Sequence, residues 1–273
     1  SDMGTDRVAV LDSLASVVQW IGSRGRGPGE FLGAGHLAVL ADRLFVAEAL
    51  NGRVSEFRLN GEFVTTYRAP FAAGALTVSE RGMFAASQSE KSFGVRLQSG
   101  HDPSAALRRS RRHTRREDDR WAALPGHDLM AADSTGVWVF EQGHGDICFY
   151  AADDARPSCR ALPASLRARL HEYRAARVAQ FEAGTGQYVK VAPLAKDFLR
   201  VGPWLALLLP LPEMPIALLD VNDGSLTPAL MLRDTLPSWA RSASSFAFDG
   251  RRFLIIGDDG VGRLELTLKS SAN

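Results

Sequence analysis

No stretch of the 273 residues stays apolar for long. The strongest run, Trp204 to Leu211, already contains Pro210 and falls far short of the ~20 residues that span a bilayer as a helix. Neither sign of charge is in excess, since 32 basic against 31 acidic side chains leave a formal net charge of +1. That balance excludes a global field suited to nucleic acid or an acidic membrane. Only two cysteines occur, too few for a thiolate metal site on their own. No Gly-x-Ser-x-Gly elbow is present, so a nucleophilic hydrolase of that kind has no signature here. The glycine-rich run from Gly22 to Gly29 lacks Gly-Lys-(Ser/Thr) and leads into a strand rather than a helix, which argues against a phosphate loop. Residues 1–5 lack the charged-then-apolar pattern of a secretory leader, so any leader is expected to be already removed. What remains, 45% hydrophobic and 23% charged residues, is the composition of an ordinary globular chain. A single domain over residues 1–273 is expected.

The chain repeats itself. Residues 7–22 lie on residues 53–68 without a gap at an offset of 46, matching Val8 to Val54, Leu11 to Phe57, Val17 to Phe63, Val18 to Val64 and Ile21 to Tyr67. A third copy starts at Gly145, where GDICFYAADDAR matches GRVSEFRLNGEF at an offset of 93. Within residues 33–68 four short strand-like runs, GHLAVL, RLFVAEA, RVSEFRL and EFVTTYR, are separated by turn residues. Asn60-Gly61 predicts a two-residue type I′ hairpin, because both central residues of that turn need φ > 0. Weaker copies follow over 71–98, 121–162, 197–232 and 242–268. Four strands every 40–50 residues is the arithmetic of a β-propeller blade.

Residues 25–67 also resemble an NHL-type repeat. The resemblance rests on the lead-in Gly27-Pro28-Gly29-Glu30-Phe31, the strand Phe45-Val46-Ala47-Glu48, Asn51-x-Arg53-Val54 and Gly61-Glu62-Phe63. Two positions depart from the pattern: Glu48 stands for the usual Asp, and His36 sits where a Pro-x-Gly approach is commoner. The resemblance implies an all-β, six-bladed propeller like those of bacterial proteins, many of them exported. Residues 7–22 supply only two outer strands, so the first blade is expected to be incomplete, with five-bladed closure as the alternative. Strands from the two chain ends are then expected to meet.

Two insertions interrupt the repeat. Residues 163–184 carry helix formers with Leu166, Leu170 and Tyr173 at helical spacing and Gly184 as a stop, predicting one helix of about five turns. Its Arg167, Arg169, Arg174 and Arg177 are expected on a solvent-facing stripe. Residues 107–120 form an arginine-rich loop with Arg108, Arg109, Arg111, Arg112, Arg115, Arg116 and Arg120. Seven arginines there suit an acidic partner or a polyanion, but Glu117 to Asp119 follow at once and no aromatic is interleaved, so nucleic-acid binding is not expected. Together with Arg167 and Arg174 the loop is a candidate ledge for a protein, peptide or glycan partner.

If the hairpin at 146–162 turns about Asp153-Asp154, opposed residue numbers sum to 307, as those of Cys148 and Cys159 do. The pair is a candidate cross-strand disulfide, or else two reduced cysteines of one blade. A bridge fits an extracytoplasmic chain, periplasmic or secreted. His36 and His127 each follow a glycine at the start of an innermost strand, where imidazoles from different blades converge on a propeller's central channel. With Asp128 they are candidates for holding a divalent metal or for acid and base work. Amidating lyases of this fold place histidine ligands on the axis, but their full ligand set is not recognisable here, nor is the Glu, Asn and Asp set of calcium-dependent lactonase propellers. Glu48, Glu141 and Asp258 either supplement a polar pocket or, as in NHL-like repeats, brace the next turn. Two functions follow: a non-catalytic binding propeller, or a metal-assisted lyase or hydrolase centred on the channel.

Overall fold

The structure, a computed structural model, describes the chain except residues 3, 15, 70–72, 88–93, 98–103, 108–127, 152–156, 186–192, 212–213, 223–227, 232–242, 249–252, 258–259 and 265–273. The described residues form six antiparallel sheets in chain order. The first has two strands, β1 (Val8–Leu11) and β2 (Val17–Ile21). The second has β3 (Ala34–Leu40), β4 (Arg43–Glu48), β5 (Arg53–Arg58) and β6 (Phe63–Arg68). The third runs β7 (Ala73–Ser79), β8 (Gly82–Ser87), β9 (Gly94–Leu97) and β10 (Ser104–Leu107). The fourth runs β11 (Leu129–Ala132), β12 (Gly136–Glu141), β13 (Asp146–Ala151) and β14 (Ser158–Ala161). Helix α1 (Ala164–Thr185) follows. The fifth sheet holds β15 (Asp197–Val201), β16 (Trp204–Leu208), β17 (Ile216–Asp220) and β18 (Pro228–Met231). The sixth holds β19 (Ser245–Phe248), β20 (Phe253–Gly257) and β21 (Gly260–Leu264).

Two of these strands depart from expectation. β10 has no counterpart among the predicted runs, and β21 lies earlier than the predicted run at 263–268. No pairing joins β1 or β2 to the last sheet among the described residues, and residues 265–273 are outside them.

Two compact units organise the chain, one of residues 1–116, 127–139 and 148–159, the other of 117–126, 140–147 and 160–273. In the first unit consecutive sheets pack face to face. Val8 and Ile21 of the first sheet share a core with Leu44, Val46 and Phe57 of the second. The opposite face of the second sheet, with Phe45, Ala47 and Val54, shares another core with Leu76, Met83 and Ala85 of the third. Phe84 and Ala86 on the far side of that sheet then meet Met130, Val137, Val139, Cys148 and Tyr150 of the fourth. In the second unit Ala206, Leu208, Ile216 and Leu218 pack with Phe246, Phe253 and Ile255. A strand buried on both faces needs apolar side chains at successive positions, and β4 and β16 are buried almost throughout.

The repeat read from the sequence is also a repeat of hydrogen bonds. Gly52 donates to the Glu48 carbonyl at 3.1 Å, and Gly145, 93 positions on, donates to the Glu141 carbonyl at 2.9 Å. The Ala69 amide reaches the Gly52 carbonyl at 2.9 Å, and that of Leu162 reaches Gly145 at 3.3 Å. Both glycines have positive φ, 61° and 72°, the left-handed region that costs a residue with a Cβ.

The hairpin turn differs from the predicted type. Gly61 alone has positive φ, 90°. The Arg58 amide bonds the Glu62 carbonyl at 2.9 Å and the Gly61 amide bonds the Arg58 carbonyl at 2.9 Å. This is a three-residue loop closed by a left-handed glycine, not a two-residue type I′ turn. A bulge between Glu56 and Phe57 absorbs the extra residue, so beyond it Ser55 faces Thr66. The positions 93 residues on are Cys148 and Cys159, and these form a disulfide with Cα atoms 4.0 Å apart.

Candidate functional site

The strands that open the first unit's second, third and fourth sheets, β3, β7 and β11, lie side by side, β7 between the other two. β3 breaks register between Ala34 and Leu37, which places Gly35 and His36 in a bulge, a device that re-aims a side chain. His36 is half-buried there, and Asp128, just ahead of β11, is half-buried too. His127 lies outside the described residues, as does Asp258. Among the described residues no group of three or more His, Cys, Asp or Glu side chains is placed to hold a metal ion.

Glu48 takes the bracing role. Its buried carboxylate, 1% exposed, accepts from Asn51 Nδ2 at 2.5 Å, from Arg53 Nε at 2.8 Å and from the Ser55 hydroxyl. Arg53 in turn donates to the carbonyls of Arg26, Gly27 and Glu30 at 2.9–3.0 Å. Glu30 Oε2 occupies the Gly27 amide at 2.7 Å. The glycine-rich lead-in is therefore folded around a cation and a carboxylate of its own chain.

The second unit carries the inserted helix. Over its 22 residues the buried stripe is Leu166, Leu170, Arg174 and Val178, one position every turn. Tyr173, expected on that stripe, is only half-buried. The expected solvent-facing stripe is corrected at Arg174, which is 3% exposed. Its guanidinium donates to the carbonyl of Gln142 at 2.6 Å and to that of Gly143 at 3.2 Å. Arg174 is thus an anchor of the helix rather than a surface contact. Arg169 is exposed, Arg167 half-buried, and Arg177 holds Gln180 Oε1 at 2.7 Å. The loop arginines Arg108, Arg109, Arg111, Arg112, Arg115 and Arg116 lie outside the described residues.

The turn that receives Arg174 does a second job. Gln142 is 1% exposed, and its side chain accepts from the Leu194 and Ala195 amides at 2.8 and 3.2 Å while donating to the Ala195 carbonyl at 2.5 Å. It fixes the chain just before β15. Asp6 does the same for β3, accepting from the amides of Gly33 and Ala34 at 2.7 and 3.2 Å. Asp197, first residue of β15, likewise accepts from Ser245 Oγ at 2.5 Å and the Phe246 amide at 3.0 Å. Burial pushes the Asp197 carboxyl above the usual carboxylate range against the pull of these donors. Sequence reasoning missed these clamps, since an isolated Asp or Gln before a strand has no periodic signature.

No protein-family model and no curated protein matches the chain. Solved structures do. Virginiamycin B lyase from Staphylococcus aureus superposes with a TM-score of 0.59 at 11% identity over 97% of this chain and 75% of that one. The fold is that of a β-propeller. A candidate 6-phosphogluconolactonase from Bacteroides uniformis shares it with a TM-score of 0.52 at 14% identity, over 95% of this propeller and 76% of its own chain. So does a chain of the mitotic checkpoint complex, with a TM-score of 0.54 at 9% identity over 96% and 69%. Identities this low establish the fold of the propeller and leave its chemistry to its own residues.

Proposed function

We propose that this protein is a non-catalytic propeller of NHL type that binds a protein, peptide or glycan partner on one rim. The specialised elements are α1 and the arginine-rich segment 107–120. The attachment of α1 carries the reading. A helix that no repeat requires is fixed by a buried arginine and three apolar side chains, while Arg169 and Glu172 face solvent. Such a fixed, solvent-facing helix is a pre-organised contact surface, which lowers the ordering cost of association. Six sheets, the first with two strands, support six blades with an incomplete first one over five-bladed closure, in a single domain of residues 1–273. The checkpoint-complex relative is part of a protein assembly, in line with a binding role. The disulfide supports an extracytoplasmic location.

The second reading is a metal-assisted lyase or hydrolase using His36, His127 and Asp128. The bulge that carries His36 on an opening strand favours it, and one structural relative is a lyase. The two readings separate experimentally. Peptide and glycan arrays are probed with wild-type protein and with a variant carrying Ser at Arg108, Arg109, Arg111, Arg112 and Arg169. Ligands that bind wild type and lose tenfold or more in the variant, about 1.4 kcal/mol, uphold the rim. Ligands indifferent to all five changes refute it. Stoichiometric divalent metal that disappears in a His36→Ala, His127→Ala variant would establish the enzyme reading instead.

A further inference from the structure

The first sheet leaves part of the second uncovered. β1 and β2 repeat β5 and β6 at the offset of 46, but among the described residues no strand stands against β1 where β4 stands against β5. Only the first rung is filled. Asp2 and Arg7 exchange amide-to-carbonyl bonds at 2.8 and 3.2 Å, in the place where Glu48 faces Arg53. That rung fixes where the other backbone groups point, because alternate residues of an antiparallel strand bond to the same side. The N–H and C=O groups of Ala9 and Leu11 therefore aim at the open edge, while those of Val8 and Val10 turn to β2. The floor beside this edge shows the same gap. Leu37 and Val39 of β3 oppose Val46 and Leu44, just as Leu76 and Val78 of β7 oppose Ala85 and Met83. Leu76 lies in the core that Phe45 and Ala47 of β4 share and is 6% exposed. Leu37 and Val39, with no described strand before them, are 36% and 57% exposed. Leu11 and Trp20, on the opposite face of the first sheet, are exposed as well.

We propose that the open edge of β1 takes an extended segment of a partner protein, apolar at four successive positions as β4 is from Leu44 to Ala47. Pairing with Ala9 and Leu11 supplies the main-chain hydrogen bonds of a strand addition, and the side chains supply its selectivity. Both faces of the added strand meet apolar surroundings. Alternate side chains cover Leu37 and Val39, and those between them continue the face of Leu11 and Trp20, so a strand that alternated apolar with polar would fit one side only. An unpaired edge beside an apolar floor is a template for such pairing. The guest is a different protein, because the described runs of this kind in a second copy, such as β4 and β16, are already held inside their own sheets. The site lies on the first two sheets and is independent of α1 and of the arginine-rich segment.

A fluorescent peptide of residues 42–49 is the probe, since the floor offers it Leu37 and Val39 where β4 itself meets Leu76 and Val78. Its anisotropy is followed as full-length protein is added, beside a scrambled peptide of the same composition. Saturable binding is expected for the first peptide alone, weakened by about tenfold or more in Val39→Lys and in Ala9→Pro. Proline at position 9 removes an outward N–H and leaves the pairing of β1 with β2. Val39→Lys keeps the edge intact, so its loss of binding cannot come from a broken β1. Val64→Lys, on the exposed part of β6, should bind as wild type does. No saturation up to about 1 mM, equal binding of the scrambled peptide, or indifference to either groove variant overturns the proposal. Binding that appears only after residues 265–273 are deleted also overturns it, by giving the groove to this chain's own end. So does a dimer in sedimentation that Val39→Lys dissociates, which would give it to a second copy.

Discussion

The disulfide offers the sharpest test of the register argument. Cys148 and Cys159 are 11 residues apart, and closing a loop of that size in the unfolded chain removes about 2.8 kcal/mol of conformational freedom at 25 °C. Cys148 is fully buried in the core shared with Val137, Val139 and Tyr150, and Cys159 packs against it from β14. Replacing both by Ala loses the cross-link and adds only a small packing defect. A Cys148→Ala, Cys159→Ala variant should therefore be less stable by about 3 kcal/mol, a fall in Tm of roughly 6–12 °C for a chain of this size. The assay is thermal and urea unfolding followed by far-UV circular dichroism, with wild type run with and without a dithiol reductant. Reduced wild type and the double variant should coincide, and both should fall below oxidised wild type. Thiol labelling of unfolded, unreduced wild type should count no free thiols. Two thiols, or superposed curves for the variant and oxidised wild type, would refute both the pairing and the loop-closure arithmetic.

Three further outcomes follow. Arg174→Met should cost about 2–4 kcal/mol, because it takes their donor from the buried Gln142 carbonyl and the half-buried Gly143 carbonyl; hydrogen exchange should place the loss in α1 and before β15, and an effect below 0.5 kcal/mol would contradict the anchor. Glu48→Gln should cost about 3 kcal/mol in urea unfolding, since it strands Arg53, whose side chain is 18% exposed, beside a neutral partner. Asp197→Asn tests the sign of its shift: the native carboxyl holds its proton to higher pH than the unfolded one, so Asp197 subtracts stability as pH rises from about 4 through its folded value. The Asn variant should show a flatter stability profile across that window, and an unchanged slope would count against the buried carboxyl.

Much of this was legible in the chain because the repeat ties local signals together. A run such as RLFVAEA is ambiguous alone, but its recurrence with turn residues at offsets of 46 and 93 fixes strand, turn and neighbour at once. The register carried over from Ser55 and Thr66 reaches the Cys148–Cys159 bridge, and in the hairpin it is taken from, the bulge at Glu56 compensates for a loop one residue longer than the sequence predicts. Arg174 departs from its expected surface position for a physical reason. Charge argues for the surface, yet the four-residue spacing from Leu166 through Leu170 to Val178 passes through it, and a turn with carbonyls to offer makes burial affordable. That spacing was the available signal. The short strand β10, sequence SAAL, lacks β-branched or aromatic residues and gave none.

The alternation of faces in β4 has a consequence for how this protein tolerates change. Leu44 and Val46 look into one core, Phe45 and Ala47 into another, so neighbours along the chain are strangers in space. Phe45 has its close company in Met83 and Ala85, some forty positions away. Compensation for a damaged side chain must then come from the adjoining sheet, not from the adjoining residue. Sequence change in the middle strands is tied to change one repeat away, while a turn such as 51–53 or 142–145 answers instead to the side chain that pins it.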